Sequence, residues 1–137
     1  MEVKVYTDGA SRGNPGHAGI GIIILDADGH VLAEECDYIG QSTNNIAEYT
    51  AVIRGLKRAK VLGARSVNLF ADSQLLVRQL TGQYKVKNEG LKPLYEQVRK
   101  LIDAFKSFNA IHIPREENKA ADRLANKALD EFIKFSR

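Results

Sequence analysis

Four acidic residues stand where a fold could put them to chemical use: Asp8, Glu48, Asp72 and Asp122. Asp8 follows the alternating run Val3-Lys4-Val5-Tyr6-Thr7, which reads as a strand, and so falls at its end. Asp72, in Asn-Leu-Phe-Ala-Asp-Ser-Gln, closes another strand-like run and precedes a helical pattern. Ligand sites in open α/β sheets lie at such strand ends. Glu48 falls one turn into a helix, beside the polar cluster Thr43-Asn44-Asn45. Asp122 falls one turn into another, where the small neighbours Ala121 and Ala125 allow close packing on a sheet. Taken singly, each acid has an ordinary role: in a first helical turn it complements the helix dipole, and at a strand end it makes a turn. Gathered in one place, they would repel each other and lose hydration, so a fold that collects them needs cations to neutralise them. Spacing alone leaves open whether they meet.

The elements that must carry these residues follow along the chain. Ala18 to Leu25 is a β-branched run, Asp26-Ala27-Asp28-Gly29 supplies a turn and Val31 to Ile39 returns, which is a hairpin pattern. Ser42-Thr43 can cap a helix bearing Ile46, Tyr49, Ile53 and Leu56, with Gly63 as its stop. Ser66 to Ala71 reads as a strand, followed by a helix carrying Leu75, Leu76 and Leu80. The clearest amphipathic stripe is Leu91, Leu94, Tyr95, Val98, Leu101, Ile102 and Phe105. Ala110 to Ile113 reads as a strand ended by Pro114, and Asn118 can cap a last helix with Leu124, Ala128, Leu129, Phe132 and Ile133 on its apolar face. The order β-β-β-α-β-α-α-β-α predicts an α/β fold in which a mixed sheet is flanked by helices.

The 137 residues fit a single domain, 1–137, with a sizeable core. A net charge of +3 is compatible with a polyanionic partner. The single cysteine, Cys36, excludes an internal disulfide and a multi-cysteine zinc site. His17, His30 and His112 are scattered and lack ligand spacing. No GxxxxGK[ST] loop supports a nucleotide switch. Without an apolar run of membrane-spanning length or a signal-like segment at Met1, a cytoplasmic protein with no membrane partner is expected.

The segments Tyr6–Gly16 (YTDGASRGNPG), Thr43–Leu56 (TNNIAEYTAVIRGL), Ala71–Leu80 (ADSQLLVRQL) and Glu117–Leu129 (ENKAADRLANKAL) carry a resemblance. In order and spacing the chain resembles a type 1 ribonuclease H from end to end, of the archaeal and bacterial kind without a basic handle. Between Thr81 and Leu91 only Lys85 and Lys87, with Lys92 beyond, are basic, too few for that insertion. The resemblance implies a ribonuclease H-like fold with a five-stranded mixed sheet ordered 3-2-1-4-5, and hydrolysis of the RNA strand of RNA/DNA hybrids; a monomer is the default expectation. Double-stranded RNA stays open as a second substrate. The alternative is a catalytically weak hybrid- or double-stranded-RNA-binding module of the same fold, but such a module would be expected to lose an acid, and all four positions are acidic.

The family pattern falls on Asp8, Glu48, Asp72 and Asp122 as ligands of two Mg²⁺ ions, for which Mn²⁺ can substitute. Such ions, about 3.5–4 Å apart, suit an in-line displacement that leaves 5′-phosphate and 3′-hydroxyl ends. By the same resemblance Asp8 bridges the two sites. The small residues after it, Gly9 and Gly13 among them, admit a nucleic-acid backbone. Ser11, Asn14, Asn44, Asn45 and Gln74 line the minor groove, and Thr43 holds a phosphate of the DNA strand. Gln41 stands where many relatives have an arginine. Many relatives also place a histidine on the loop before the last helix. Here Arg115 is the residue on that loop, while His112 sits between Ile111 and Ile113 in a predicted strand. Arg115 is therefore expected to take over part of that role, or else to pair with Glu116 or Glu117. It would do so as a fixed cation and never as a base.

Overall fold

In the computed structural model, which describes residues 1–136, the first three strands form an antiparallel meander: β1 (Glu2–Gly13), β2 (Gly16–Asp26) and β3 (Val31–Ser42). The chain crosses through α1 (Asn44–Val61) to β4 (Ser66–Ala71), which pairs with β1 in parallel. A parallel partner requires such a crossover, because a hairpin cannot supply it. Two helices follow, α2 (Gln74–Leu80) and α3 (Lys92–Ile102), then β5 (Ser107–His112), parallel to β4, and finally α4 (Lys119–Phe135). The sheet order is 3-2-1-4-5, as the family resemblance implies. Val3, Val5, Ile22, Val52, Leu56, Val67, Leu69 and Leu76 are among the residues of the core between the sheet and α1 to α3. No described helix is long and apolar enough to cross a membrane.

Four local readings change. β1 does not stop before Asp8; it continues to Gly13, because β2 offers an antiparallel partner that far, from Asp8 opposite Gly21 to Gly13 opposite Gly16. The small residues after Asp8 are thus strand rather than loop, and the turn proper is only Gly13 to Gly16. What ends near Asp8 is the parallel pairing, whose last pair is Tyr6 with Phe70. β5 begins at Ser107 rather than Ala110: as an edge strand it exposes Ser107 and Asn109, so its first half shows no apolar run. Helix α3 ends at Ile102, and Phe105 is buried from the turn beyond it. In α2 the buried stripe is Leu76, Val77 and Leu80, while Leu75 is exposed.

Two glycines set how deeply the flanking helices sit. A Cβ on Gly9 would lie 2.3 Å from the Ala47 carbonyl carbon and 2.4 Å from the Glu48 nitrogen, so only glycine admits α1 this close. A Cβ on Gly21 would lie 2.1 Å from the Ala121 oxygen and 2.6 Å from the Ala125 nitrogen of α4. Side chains alternate along a strand and directly opposed residues share a face. Asp8 therefore shares the α4 face with Gly21, while Gly9 faces α1. Because the obstructing atoms at Gly21 are backbone, a rotamer change cannot relieve the clash. Gly21→Ala is expected to destabilise the protein by about 3 kcal/mol or more, the upper end of overpacking effects. A urea unfolding midpoint within experimental error of the parent would contradict this seating.

Candidate active site

Asp8, Glu48 and Asp72 meet beyond the last parallel pair of β1 and β4. Each offers a carboxylate oxygen, and the three oxygens lie within 4.8 Å of one another. They line an open pocket of about 510 Å³ together with Asp122 and Arg115. Asp8 arrives on the central strand. Glu48 arrives on the first turns of α1, whose start is fixed by the Thr43 hydroxyl accepting from the Ile46 N–H at 3.2 Å. Asp72 follows β4, just before Ser73 caps α2 by accepting from Leu76 N–H at 3.2 Å. Asp122 enters from the first turn of α4.

Asp8 and Glu48 are buried among like charges. Asp8 and Glu48 are each only 5% exposed. Burial first, then the charge of Asp72 and contact with Asp122, push the Asp8 carboxyl from 3.8 up to about 8, while Arg115 pulls weakly the other way. Glu48 is likewise raised well above the usual carboxylate range, by burial and then by the charges of Asp8 and Asp72. Its Oε2 is buried and has no hydrogen-bond partner. Three converging carboxylates, one of them with a buried unpartnered oxygen, are a set of hard oxygen donors, and that set fits magnesium-like cations.

Asn118, which the sequence offers only as a cap for α4, and Asn126 of α4, which it leaves unassigned, hold Asp72 and Asp122. Asn118 occupies the cap position, yet its side chain makes no capping bond. Its amide instead donates to the Thr7 carbonyl at 2.9 Å and to Asp72 Oδ2 at 2.8 Å. Asn126 donates to the Asp122 carbonyl at 3.0 Å and to Asp122 Oδ1 at 3.3 Å, and accepts from Arg12 of β1 at 3.3 Å. The signal for Asn118 lay in Glu117–Leu129 itself, but a helix-start asparagine reads first as a cap.

Of the other residues singled out in the sequence, Gly9, Ser11 and Asn44 line the pocket. Ser11 donates to the Ser42 carbonyl at 2.8 Å, which ties β1 to the end of β3. Asn14 accepts from the Asn44 N–H at 3.1 Å, linking the first turn to the start of α1. Thr43, Asn45, Gly13 and Gln74 lie outside the pocket lining, with Asn45 and Gln74 exposed. Arg115 sits exposed in a short 3₁₀ turn, Arg115–Glu117, and among the described residues it forms no ion pair with Glu116 or Glu117. His112 is the exposed last residue of β5 and is absent from the pocket lining.

Comparison with known proteins places this arrangement. The family model described as reverse transcriptase-like matches residues 6–128. A bifunctional protein of Mycobacterium tuberculosis is 47% identical over 131 residues, 95% of this chain, which spans 36% of that relative's length. The crystal structure of RNase H1 from Halobacterium salinarum superimposes with a TM-score of 0.93 at 43% identity, covering 96% of this chain and 99% of that one. A structure of LC11-RNase H1 in complex with an RNA/DNA hybrid superimposes with a TM-score of 0.92 at 42% identity, again covering 96% and 99%. With its strand order, its carboxylate cluster and these relatives agreeing, the chain belongs to the type 1 ribonuclease H family.

Proposed function

We propose that this protein hydrolyses the RNA strand of RNA/DNA hybrids, with Asp8, Glu48, Asp72 and Asp122 holding two divalent cations, Mg²⁺ by preference and Mn²⁺ as a substitute. The observation that carries the reading is the convergence of three carboxylates within 4.8 Å, with the buried Glu48 Oε2 unpartnered. The hybrid-bound relative supports the choice of substrate. When bound, the cations supply an activated water and neutralise charge at the scissile phosphate, for an in-line attack that leaves 5′-phosphate and 3′-hydroxyl ends. Asp8, on the central strand between Glu48 and Asp122, is positioned to serve both ions. Glu48 and Asp72 would serve one ion, with Asp72 or Asp122 completing the sites.

The residues around the pocket bind and orient. Ser11 and Asn44 border the acids, and with Asn14, Asn45 and Gln74 they offer hydroxyls and amides suited to 2′-hydroxyls and base edges without demanding a sequence. Gly9 serves the site by letting α1 and Glu48 pack close, Gly13 keeps a side chain off the approach, and Thr43 is assigned to a DNA-strand phosphate. Arg115, at the pocket wall, neutralises a phosphate oxygen with its fork of donors. Arg115→Ala is expected to lower kcat by roughly tenfold, the scale of one charge-assisted contact. His112→Ala is expected to leave both kcat and its pH profile unchanged. Full activity in the first variant, or loss in the second, would reverse the assignment.

The reading is tested with labelled RNA/DNA, RNA/RNA, DNA/DNA and single-stranded RNA, each with and without Mg²⁺. Cleavage of the RNA strand of the hybrid, abolished by excess EDTA, is expected. Robust cleavage in EDTA, or preference for single-stranded RNA, would sink the proposal; cutting of RNA/RNA would widen the substrate range.

A further inference from the structure

We propose that Asn118 is a positioning residue that fixes the Asp72 carboxylate and ties together the chain segments delivering three of the four acids. The inference rests on the metal-binding reading of the pocket. Asn118 is 1% exposed, so its polar atoms have no recourse to water. Both partners of its side chain, the Thr7 carbonyl and Asp72 Oδ2, can only accept, so the atom between them must be the amide nitrogen. A carboxylate on a single χ2 axis rotates freely unless an oxygen is held, and a bond to Oδ2 sets the plane in which the other oxygen lies.

The same residue reaches the other two acids through backbone. Thr7 immediately precedes Asp8 on β1, so the 2.9 Å bond holds the strand at the point where Asp8 projects. The Asn118 carbonyl accepts the Asp122 N–H at 3.1 Å, which fixes the first turn of α4. One side chain and its own carbonyl thus join β1, the end of β4 and α4. A capping asparagine would spend its side chain on the helix N–H groups, and this one does not. Its Oδ1 remains buried without a partner. That unfavourable state is tolerated while the amide nitrogen serves the two acceptors.

Partners that orient metal ligands typically change metal affinity by 10- to 100-fold when removed. The test uses Asn118→Ala, which removes both donors, and Asn118→Ser, which keeps one. Mg²⁺ binding is measured by calorimetry without substrate, and kcat and KM for a hybrid are measured as Mg²⁺ is varied. Asn118→Ala is expected to weaken Mg²⁺ binding and raise the Mg²⁺ concentration for half-maximal kcat about tenfold, with Asn118→Ser in between. KM for the hybrid should stay within about twofold. Folded variants with the parent's Mg²⁺ affinity would overturn the proposal. Unfolding of both would overturn it too, by assigning Asn118 to the fold. Absence of Mg²⁺ binding in the parent would instead defeat the metal-binding reading of the pocket.

Discussion

Asp8→Asn is expected to abolish hybrid cleavage while leaving the metal-free protein folded and, at alkaline pH, more stable than the parent. The substitution preserves shape and removes the charge that would hold a cation. A loss of at least about 10³-fold in kcat, or roughly 4 kcal/mol of transition-state stabilisation, is the scale expected for losing a metal ligand shared by two ions. The stability gain follows from burial: Asp8 is pushed up to about 8 because ionising it among Asp72 and Asp122 is unfavourable. The amide resembles the protonated acid in both folded and unfolded states, so the variant should match the parent only below about pH 4, already exceed it at pH 6, and exceed it most above pH 8. Asp72→Asn should also lose turnover, and it keeps an oxygen able to accept from Asn118. Near-normal turnover in either variant under Mg²⁺ would remove that acid from the proposed metal site. Unfolding of both would make the acids structural.

The metal-free parent should lose stability steadily as pH rises from about 5 to 8, and Mg²⁺ should restore it. The sign follows from proton counting. The folded state holds a proton on Asp8 up to about pH 8, whereas the unfolded chain releases it near 3.8. Between those values the native state binds more protons, so stability present at low pH is lost as pH rises through the folded value. Each pH unit with one proton of difference is worth about 1.4 kcal/mol, giving several kcal/mol as an upper bound. Glu48, also raised, reinforces the trend. Bound Mg²⁺ must displace these protons, so its binding should release protons and tighten with pH. Thermal melts in EDTA from pH 5 to 9, with and without added Mg²⁺, would check both halves. A flat metal-free profile would mean the cluster is already solvated. An Asp8→Asn profile as steep as the parent's would place the titration elsewhere.

Much of this site was legible in the sequence because its parts are local. A strand carrying an acid, a capped helix and a strand followed by a capped helix each announce themselves through alternation, caps and small residues. That Asp8, Glu48 and Asp72 meet was not legible from spacing, because it depends on register: β1 runs past β4 by the residues that carry the acid. Nor was the purpose of Gly9. As a sequence it reads as room for a ligand; in the fold its missing Cβ is the space taken by the Ala47–Glu48 backbone. Asn118 was misread for a related reason, since helix-start position predicts a cap and only the packed structure shows where the amide goes. Edge strand β5 was placed late because its exposed polar half carries no hydrophobic signature.

Synthesis of the chain is vectorial, and α4 is the last of the described elements to be made. The three-stranded meander, α1 and β4 already contain Asp8, Glu48 and Asp72, so a nascent polypeptide stalled before Asn118 possesses most of the charge of the site. It lacks the clamp on Asp72, and it leaves the glycine strip of β2 at Gly19 and Gly21, which the α4 backbone occupies, open to water. On the proposed reading the site is therefore complete only once α4 has docked, since Asp122 and the bond from Asn118 to Asp72 come with it. The helix that brings the fourth acid also brings the asparagine that steadies the third, so the emerging protein carries its own delay.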